Sequence, residues 1–163
     1  MSTIPCWIIS LNPEAPLAAA LASQLADEGI AHQFVPAVDG RQGMPALQGA
    51  EHFDNRTAWL RHHKLLTPRQ VGCYLAHYRT IARAWNEGLE RVCILEDDVS
   101  IEPAFRETLD ALAKLPADVE MIRLMALRIR RRKAVMPLPG MNEHLLVRPE
   151  RGWCGCQAYV INR

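Results

Sequence analysis

The sequence predicts an α/β domain built around a mainly parallel sheet. Two apolar runs at residues 4–11 and 31–38 flank a helical segment at residues 14–28. A strand, a helix and another strand form a βαβ unit whose two strands run parallel. A third apolar run within residues 91–99 leads directly into three carboxylates, Glu96, Asp97 and Asp98. Runs of this kind are typical of strands buried on both faces.

The composition is that of an ordinary globular protein. The chain has 163 residues, of which 49% are hydrophobic and 23% charged, so we expect one domain over residues 1–163. A net charge of +1 gives no reason to expect nucleic acid as a partner. No apolar run approaches the roughly 18 residues of a membrane span. Five scattered cysteines and no basic leader favour a cytoplasmic protein with reduced thiols.

The middle of the chain predicts a long connection followed by a long helix. Residues 41–64 are irregular and predict a loop with one short helix, a kind of connection that often binds ligands. Thr67, Pro68 and Gln70 match a capping box at the start of a helix. Its apolar face would consist of residues at helical spacing, namely Val71, Tyr74, Leu75, Tyr78, Ile81, Ala82, Trp85 and Leu89.

The last third of the chain predicts one helix and several short strands. Ser100 is placed to cap a helix over residues 102–115, and a strand is expected at 119–127. Pro137, Pro139 and Gly140 predict a break before two more short strands at 145–147 and 158–161. The final strand has nothing after it to cover it, so we expect that it could pair with another chain.

The carboxylates at residues 96–98 are the strongest indication of a site. Adjacent negative charges repel one another and are costly to desolvate without a cation or hydrogen-bond donors. Mg²⁺ and Mn²⁺ prefer carboxylate oxygens, and ligands of open α/β sheets lie beyond the carboxyl ends of the strands. A divalent metal site and a solvated acidic turn that caps the next helix both fit the spacing.

Histidine and cysteine residues offer a second set of candidates. Cys73 and His77 are four residues apart on one helical face, and Cys154 and Cys156 add two sulfurs. Structural zinc sites usually show two closely spaced ligand pairs, so we interpret Cys73 as a small buried residue. His77 is the better functional candidate, as a substrate-positioning side chain or a hydrogen-bonded core residue. We interpret the other unpaired histidines as surface residues, namely His32, His62 and His63.

Three glycine-containing motifs are missing and one basic segment is present. The first strand is followed by neither Gly-x-Gly-x-x-Gly nor a Walker loop, which disfavours a dinucleotide-binding or P-loop enzyme. There is no Gly-x-Ser-x-Gly hydrolase motif. Five cations in six residues are expected to form a solvated loop that could attract an anionic glycan; they are Arg128, Arg130, Arg131, Arg132 and Lys133.

Five segments in series resemble glycosyltransferase family 25, the lipooligosaccharide and collagen-type galactosyltransferase group. They are Ile-Ile-Ser-Leu-Asn at 8–12, Ala-Val-Asp-Gly at 37–40, Gly-Cys-Tyr-Leu-Ala-His at 72–77, Ile-Leu-Glu-Asp-Asp-Val at 94–99 and Gly-Cys-Gln-Ala-Tyr-Val-Ile at 155–161. Each segment alone is weak, but their order and spacing agree over nearly the whole chain. The resemblance implies a GT-A-like, Rossmann-related three-layer domain that uses a nucleotide-activated sugar.

The resemblance also assigns roles to residues. In such enzymes an acidic motif holds Mn²⁺, or Mg²⁺, against the diphosphate of a UDP-sugar, and Asp98 and Glu96 are the implied metal ligands. Glu96 or Asp97 would contact the ribose or a metal-bound water. The nucleotide pocket would be bordered by the end of the first strand, the turn after the second strand and the capped helix, that is by Asn12, Asp39, Gly40 and His77. The sequence assigns no catalytic base.

The function implied is metal-dependent transfer of a sugar, with galactose expected, from a UDP-sugar to a cell-envelope glycan such as lipooligosaccharide. We expect a cytoplasmic enzyme that could associate peripherally with the inner membrane. A non-catalytic domain that binds a glycan or protein partner is the alternative, and an unrelated Mg²⁺-dependent phosphotransferase is a third reading.

Two departures from the family pattern bear on activity. The family usually has an arginine shortly after the first strand, where this chain has Glu-Ala-Pro-Leu at 14–17, and usually continues well beyond the position of Arg163. The chain therefore resembles a short or truncated member, from which part of the acceptor site would be missing.

Overall fold

The computed structural model describes residues 4–128, 131–150 and 155–163. Its elements in chain order are β1 (Cys6–Ser10), α1 (Pro16–Asp27), β2 (His32–Pro36), α2 (Asn55–His62), α3 (Pro68–Asn86), β3 (Arg91–Glu96), α4 (Phe105–Leu112), β4 (Met121–Arg123), β5 (Arg132–Leu138), β6 (Met141–Pro149) and β7 (Ala158–Asn162). The α/β class is confirmed, and the first three elements form the expected βαβ unit, since β1 and β2 pair in parallel.

The central sheet is mixed. Its five strands lie in the order β2-β1-β3-β7-β4. The strand β1 pairs in parallel with β2 and β3, whereas β7 pairs antiparallel with β3 and β4. Four strands therefore run in one direction, and β7 runs against them. The expectation of an uncovered last strand was wrong, because β7 lies between two partners and buries Ala158, Tyr159 and Val160.

Both faces of the sheet are covered, which gives three layers. One face packs against α1 and α4 through a core that includes Ile8, Leu21, Cys93 and Leu109. The other face carries a core of Trp7, Ile9, Val35, Val92, Ile94 and Tyr159, together with Ala76 and Ala84 of α3. Neighbouring residues of β1 and β3 thus point to opposite faces, as strand geometry requires. This alternation determines which side chains meet at the carboxyl end of β3.

Helix α3 starts at the predicted capping box, formed by Thr67 and Gln70. Its predicted packing face is confirmed at Val71 and Leu75, which are buried, but not at Tyr74, Tyr78 and Trp85, which are exposed. The buried side instead carries small residues four apart, which bring the helix close to its neighbours; they are Gly72, Ala76, Thr80 and Ala84. The apolar pattern had favoured the large side chains, although it is the small ones that allow close packing.

The connection between β2 and α3 contains the one short helix that the sequence predicts, α2. Asp54 caps it by accepting hydrogen bonds from the backbone N–H groups of Arg56 and Thr57, at 2.8 and 3.0 Å. The Arg79 guanidinium of α3 donates to the Glu51 carboxylate from Nε at 2.7 Å and from Nη2 at 2.9 Å. This pair fastens the irregular part of the connection to α3.

Several boundaries in the last third of the chain correct the sequence interpretation. Ser100 does not cap α4, because the helix begins after Ala104, whose φ is 67°. The residue before a proline is biased away from helical geometry, and Pro103 therefore delays the helix start beyond residue 102. The strand expected at 119–127 is shorter, since β4 has three residues.

Strands β5 and β6 form a separate antiparallel hairpin. It turns at Gly140, whose φ of 80° is left-handed, and this confirms the predicted break there. The expectation of a loop over residues 128–133 was wrong for Arg132 and Lys133, which begin β5. Lys133 lies opposite Arg148 in the ladder, while Arg130 of the basic segment lies outside the described residues.

Every helix in the described part of the chain is too short or too polar to cross a bilayer.

Candidate functional site

A cleft of about 390 Å³ lies at the carboxyl ends of β1, β2 and β3. Its volume falls within the range of roughly 300–1,000 Å³ that small-molecule sites occupy. The lining contains most of the predicted site residues, namely Asp39, Gly40, His77, Glu96, Asp97 and Asp98. The cleft lies where ligands of open α/β sheets bind, outside the ends of the strands.

The three consecutive acids have different positions and different hydrogen-bond partners. Glu96 is the last residue of β3, on the face that packs against α3, whereas Asp97 and Asp98 belong to the turn that follows. Glu96 Oε1 lies 3.1 Å from His77 Nε2 and 3.5 Å from Cys156 Sγ. The Glu96 carboxylate is therefore held by α3 and by the segment that leads into β7.

His77 is held between two partners. Its Nδ1 lies 3.0 Å from Tyr159 Oη and its Nε2 faces Glu96. Burial lowers the pKa of His77, but hydrogen bonds to Cys73 and Glu96 outweigh this effect and raise the pKa to about 9. The His77 hydrogen bond in turn lowers the pKa of Glu96. Without a bound cation, the pair is therefore an imidazolium and a carboxylate at neutral pH.

Two thiols lie beside Glu96, and of these Cys73 lines the cleft. Cys73 Sγ lies 4.0 Å and Cys156 Sγ 3.5 Å from the same Glu96 oxygen. Cys73 is exposed, which corrects the expectation of a buried residue. Burial, followed by the charge of Glu96, raises the pKa of Cys156 to about 12. The four cysteines within the described ranges are unpaired thiols, as expected for reduced cysteines, and Cys154 lies outside those ranges.

The cluster of Cys73, His77, Glu96 and Cys156 is the one group of three or more potential metal ligands in residues 4–128, 131–150 and 155–163. Its four ligand atoms lie within 4.8 Å of one another. Asp97 and Asp98 are not part of it. The expected trio of acids is thus divided, with Glu96 in a mixed cluster and the two aspartates beyond the strand.

Asp97 and Asp98 differ in their surroundings. The buried Ser10 hydroxyl donates to Asp97 Oδ2 at 2.5 Å, which orients this carboxylate from the end of β1. Asp98 is exposed on the cleft wall, and its carboxylate makes no hydrogen bond or salt bridge among the residues that the structure describes. Asp98 therefore offers its oxygens to a ligand.

The opposite wall carries two arginines. The Arg41 guanidinium binds both oxygens of Asp39, with Nε at 2.9 Å from Oδ1 and Nη2 at 2.7 Å from Oδ2. These bonds lower the pKa of Asp39 to about 2. Arg69, from the first turn of α3, also lines the cleft and makes no hydrogen bond or salt bridge within the described ranges. Asp39 is therefore neutralised by its neighbour, while Arg69 is available to an anion.

Gly40 has a packing role beside the cleft. A Cβ atom at Gly40 would lie 2.1 Å from the Pro68 carbonyl oxygen, and one at Gly72 would lie 2.6 Å from the Val38 carbonyl oxygen. Such distances leave no room for a side chain. The turn after β2 and the start of α3 therefore approach backbone to backbone, and this contact sets the shape of the cleft wall.

Asn12 lies away from the lining of the cleft. Its backbone N–H donates to Ser10 Oγ at 3.0 Å, and its Oδ1 accepts from the backbone N–H of Glu14 at 3.2 Å. These contacts form the turn that leads into α1. Asn12 therefore supports the Ser10 hydroxyl that holds Asp97.

Sequence reasoning missed three features of the site. Arg41 and Arg69 carried no motif that would single them out. The contact between Ser10 and Asp97 joins residues 87 positions apart. Cys156 had been weighed with Cys73, His77 and Cys154, but its contact with Glu96 at the end of β3 was not foreseen. The alternation of residues along β3 and β7 could have indicated that Glu96 and Tyr159 face α3.

The sequence matches the profile of glycosyltransferase family 25 (LPS biosynthesis protein) over residues 3–163. A rat relative named "Probable inactive glycosyltransferase 25 family member 3" is 31% identical over 151 residues, which cover 83% of this chain and 25% of the relative. The mouse relative named "Inactive glycosyltransferase 25 family member 3" is 30% identical over 83% of this chain and 24% of its own length.

A relative from Drosophila melanogaster, named "Glycosyltransferase 25 family member", is 35% identical over 94 residues. That match covers 52% of this chain and 14% of the fly protein. The chain thus spans about a quarter or less of the length of these relatives. Because the family profile matches almost every residue, the chain belongs to glycosyltransferase family 25.

Proposed function

We propose that this chain binds a nucleotide-activated sugar in the cleft and transfers the sugar to a glycan with the help of a divalent metal. The observation that carries the proposal is the joint presence of Asp97, Asp98 and Arg69 on a cleft at the ends of three parallel strands. Carboxylates suit a hard metal ion, and a guanidinium suits a phosphate. Membership of a glycosyltransferase family favours a sugar nucleotide as the ligand that combines the two.

Mn²⁺ or Mg²⁺ fits the donor set at this edge of the sheet. Asp98 would be the direct ligand, because its exposed oxygens have no partner among the described residues, and Asp97 lies next to it in a fixed orientation. The ion would stabilise negative charge on the departing diphosphate. Glu96 was expected to share this ion, but its contacts with His77 and Cys156 favour Asp98 and Asp97 as the ligands.

The remaining lining residues would bind and orient the nucleotide. Arg69 would attract the diphosphate and could replace the arginine that the family usually carries after the first strand. The backbone of the turn at Asp39 and Gly40 would border the nucleoside, as in a GT-A-like domain. Arg41 would act mainly by neutralising Asp39, since both carboxylate oxygens already bind its guanidinium.

The expected donor is a UDP-sugar such as UDP-galactose, and the expected acceptor is a cell-envelope glycan. The family description, which names LPS biosynthesis, supports this choice of acceptor. The cations at the base of the hairpin, including Arg132, Lys133 and Arg148, would suit an anionic glycan. No described side chain is assigned as the catalytic base.

A non-catalytic binding domain is the second candidate. Two relatives that align over 83% of this chain carry "inactive" in their names. A domain of this kind would keep the fold and the cleft without sugar transfer. Both candidates predict nucleotide binding if the cleft is retained, and only the first predicts release of UDP in the presence of an acceptor.

The test combines binding and turnover. Thermal unfolding is measured with Mn²⁺ alone, UDP alone, and Mn²⁺ with UDP or UDP-galactose, because a ligand of the native state raises the melting temperature by mass action. We expect a larger rise when Mn²⁺ and UDP-galactose are both present, together with UDP release when lipooligosaccharide is added. Binding without release would favour the non-catalytic domain, and no thermal response to any of these ligands would contradict the proposal.

A further inference from the structure

The side of the cleft that faces α3 holds ligand atoms of a different chemistry from the aspartates. Cys73 and His77 lie four residues apart on α3, so their side chains lie on the same helical face. Glu96 ends β3, and Cys156 lies two residues before β7. We infer that Cys73, His77, Glu96 and Cys156 form a binding site for a thiophilic divalent cation, Zn²⁺, separate from the metal site proposed at Asp98.

The distances within the cluster are close to those of a tetrahedral zinc site. With bonds of roughly 2.0–2.3 Å, tetrahedral ligand atoms lie roughly 3.3–3.8 Å apart. Glu96 Oε1 lies 3.1 Å from His77 Nε2, 3.5 Å from Cys156 Sγ and 4.0 Å from Cys73 Sγ. No two of the four ligand atoms lie more than 4.8 Å apart. Shifts of about 1 Å or less in the side chains would therefore close the cluster around an ion.

The ligand types select zinc over the harder cations. Two thiolates, one imidazole and one carboxylate form a set that Zn²⁺ binds well, whereas Mg²⁺ and Mn²⁺ prefer oxygen ligands alone. Four protein ligands would fill the tetrahedron, which is the arrangement of structural rather than catalytic zinc. The exposed Cys73 thiol leaves the cluster open to an entering ion.

Tyr159 provides the hydrogen bond that zinc-binding histidines normally make through the ring nitrogen that does not bind the metal. A metal-bound histidine usually donates its second N–H to an oxygen, which fixes the orientation of the ring. His77 Nδ1 lies 3.0 Å from Tyr159 Oη, and Tyr159 is 1% exposed. The Nε2 atom is left facing the cluster. This contact comes from β7, so it is independent of the four ligands themselves.

A bound ion would join three elements that are distant in sequence. It would fasten α3 to the end of β3 and to the chain before β7, which is the strand that completes the middle of the sheet. It would also keep Glu96 directed toward α3, so that the sugar-nucleotide metal would depend on Asp98 and Asp97. The inference does not depend on glycosyl transfer, because a non-catalytic domain with this cluster would bind zinc equally well.

Metal titrations of the untagged chain, reduced and freed of metal by a chelator, test the site. Zn²⁺ affinity is measured by competition with a chromophoric chelator, and Co²⁺ is used as a spectroscopic substitute. We expect one Zn²⁺ per chain and a thiolate-to-cobalt charge-transfer absorption that added Zn²⁺ abolishes. The cobalt spectrum needs no variant, so it remains informative even if a substitution impairs folding. Absence of thiolate-to-cobalt absorption in the native chain would overturn the inference.

Variants then assign the ligands. Cys73→Ser and Cys156→Ser should each weaken Zn²⁺ binding by at least roughly tenfold, the smallest effect typical of losing a hydrogen bond to a metal-binding side chain. Both variants should also reduce the cobalt absorption. Cys93→Ala is the matched control, because it removes a thiol from the buried core away from the cluster. Asp98→Asn should leave Zn²⁺ binding unchanged. Equal Zn²⁺ affinity in the native chain and in both serine variants would overturn the assignment.

Discussion

Glu96 and Asp98 lie two residues apart and have different chemical surroundings. Glu96 ends a strand and contacts a histidine of α3 and a thiol of the segment before β7. Asp98 lies in the turn beyond the strand, exposed on the cleft wall. The difference shows that a run of acids at the end of a strand need not serve one ion, because the last strand residue and the turn residues point in different directions.

The two proposed metal sites, at Asp98 and at the cluster beside α3, differ in the chemistry of their ligand atoms. The aspartates offer only oxygens, which suits Mn²⁺ with a diphosphate, whereas the cluster on α3 offers sulfur and nitrogen. If the two sites are distinct, a change at one should leave the other intact. The predictions below test this separation, beginning with the largest expected effect.

Asp98→Asn should remove most of the Mn²⁺-dependent binding of UDP-galactose. Loss of a hydrogen bond to a metal-binding side chain typically lowers metal affinity by roughly 10–100-fold, and loss of a direct ligand should cost at least as much. Because Asp98 is exposed, the change in unfolding free energy should remain within about 0.5 kcal/mol. Calorimetric titration of UDP-galactose with and without Mn²⁺ measures the effect.

The control for this change is Asp118→Asn, an exposed aspartate before β4 at the opposite edge of the sheet. It should bind UDP-galactose as the native chain does. Unchanged affinity in Asp98→Asn would remove this carboxylate from the proposed metal site.

Tyr159→Phe should weaken Zn²⁺ binding by roughly 10–100-fold, because the His77 ring loses the oxygen that orients it. It should leave Mn²⁺-dependent nucleotide binding unchanged. Competition with a chromophoric chelator measures the first quantity and calorimetry the second. A fall in nucleotide affinity equal to the fall in zinc affinity would show that the two sites are coupled rather than separate.

Gly72→Ala should destabilise the fold by about 1–3 kcal/mol, the usual cost of overpacking. The new Cβ would lie 2.6 Å from the Val38 carbonyl oxygen, so the turn after β2 must move away from α3. Urea unfolding measures the stability, and nucleotide affinity reports the altered cleft wall. In an open helix a change from glycine to alanine stabilises, so a more stable variant would contradict the close approach.

Arg41→Gln should raise the pKa of Asp39 from about 2 toward its ordinary value, because the hydrogen bonds from the guanidinium are lost. A carboxyl group with a depressed folded-state pKa stabilises the fold above its unfolded pKa and loses this contribution as the pH falls toward 2. The native chain should therefore be stabilised by this pair at neutral pH and lose that contribution in acid. Side-chain carbon NMR during an acid titration measures the pKa, and an unchanged value in the variant would contradict the pairing.

The parts of the fold that could be predicted depend on local signals. The capping box at Thr67 and Gln70 located the start of α3, and the apolar run before Glu96 located β3. Strand β5 was missed because the charges at Arg132 and Lys133 suggested a solvated loop, whereas the predicted strand at 145–147 lies within β6. A hairpin with both strands largely exposed carries little apolar alternation, and periodicity is then a poor guide.

The site was predictable in its location but not in its internal contacts. The rule that ligands bind beyond strand ends predicted a site at Asp98, and the family resemblance added Asp39; both residues line one cleft. The partners of Glu96 come from α3 and from the chain before β7, and only the register of the folded sheet brings them together. Sequence adjacency grouped Glu96 with the aspartates, whereas the tertiary structure groups it with His77 and Cys156.

Anomalous diffraction from crystals grown with UDP, Mn²⁺ and Zn²⁺ would test the central claim most directly, since data collected at each metal's absorption edge locate the two ions separately. We predict a manganese peak beside Asp98 and the diphosphate, and a zinc peak surrounded by Cys73, His77, Glu96 and Cys156. Both metals at one position, or no peak within bonding distance of Asp98, would contradict the account.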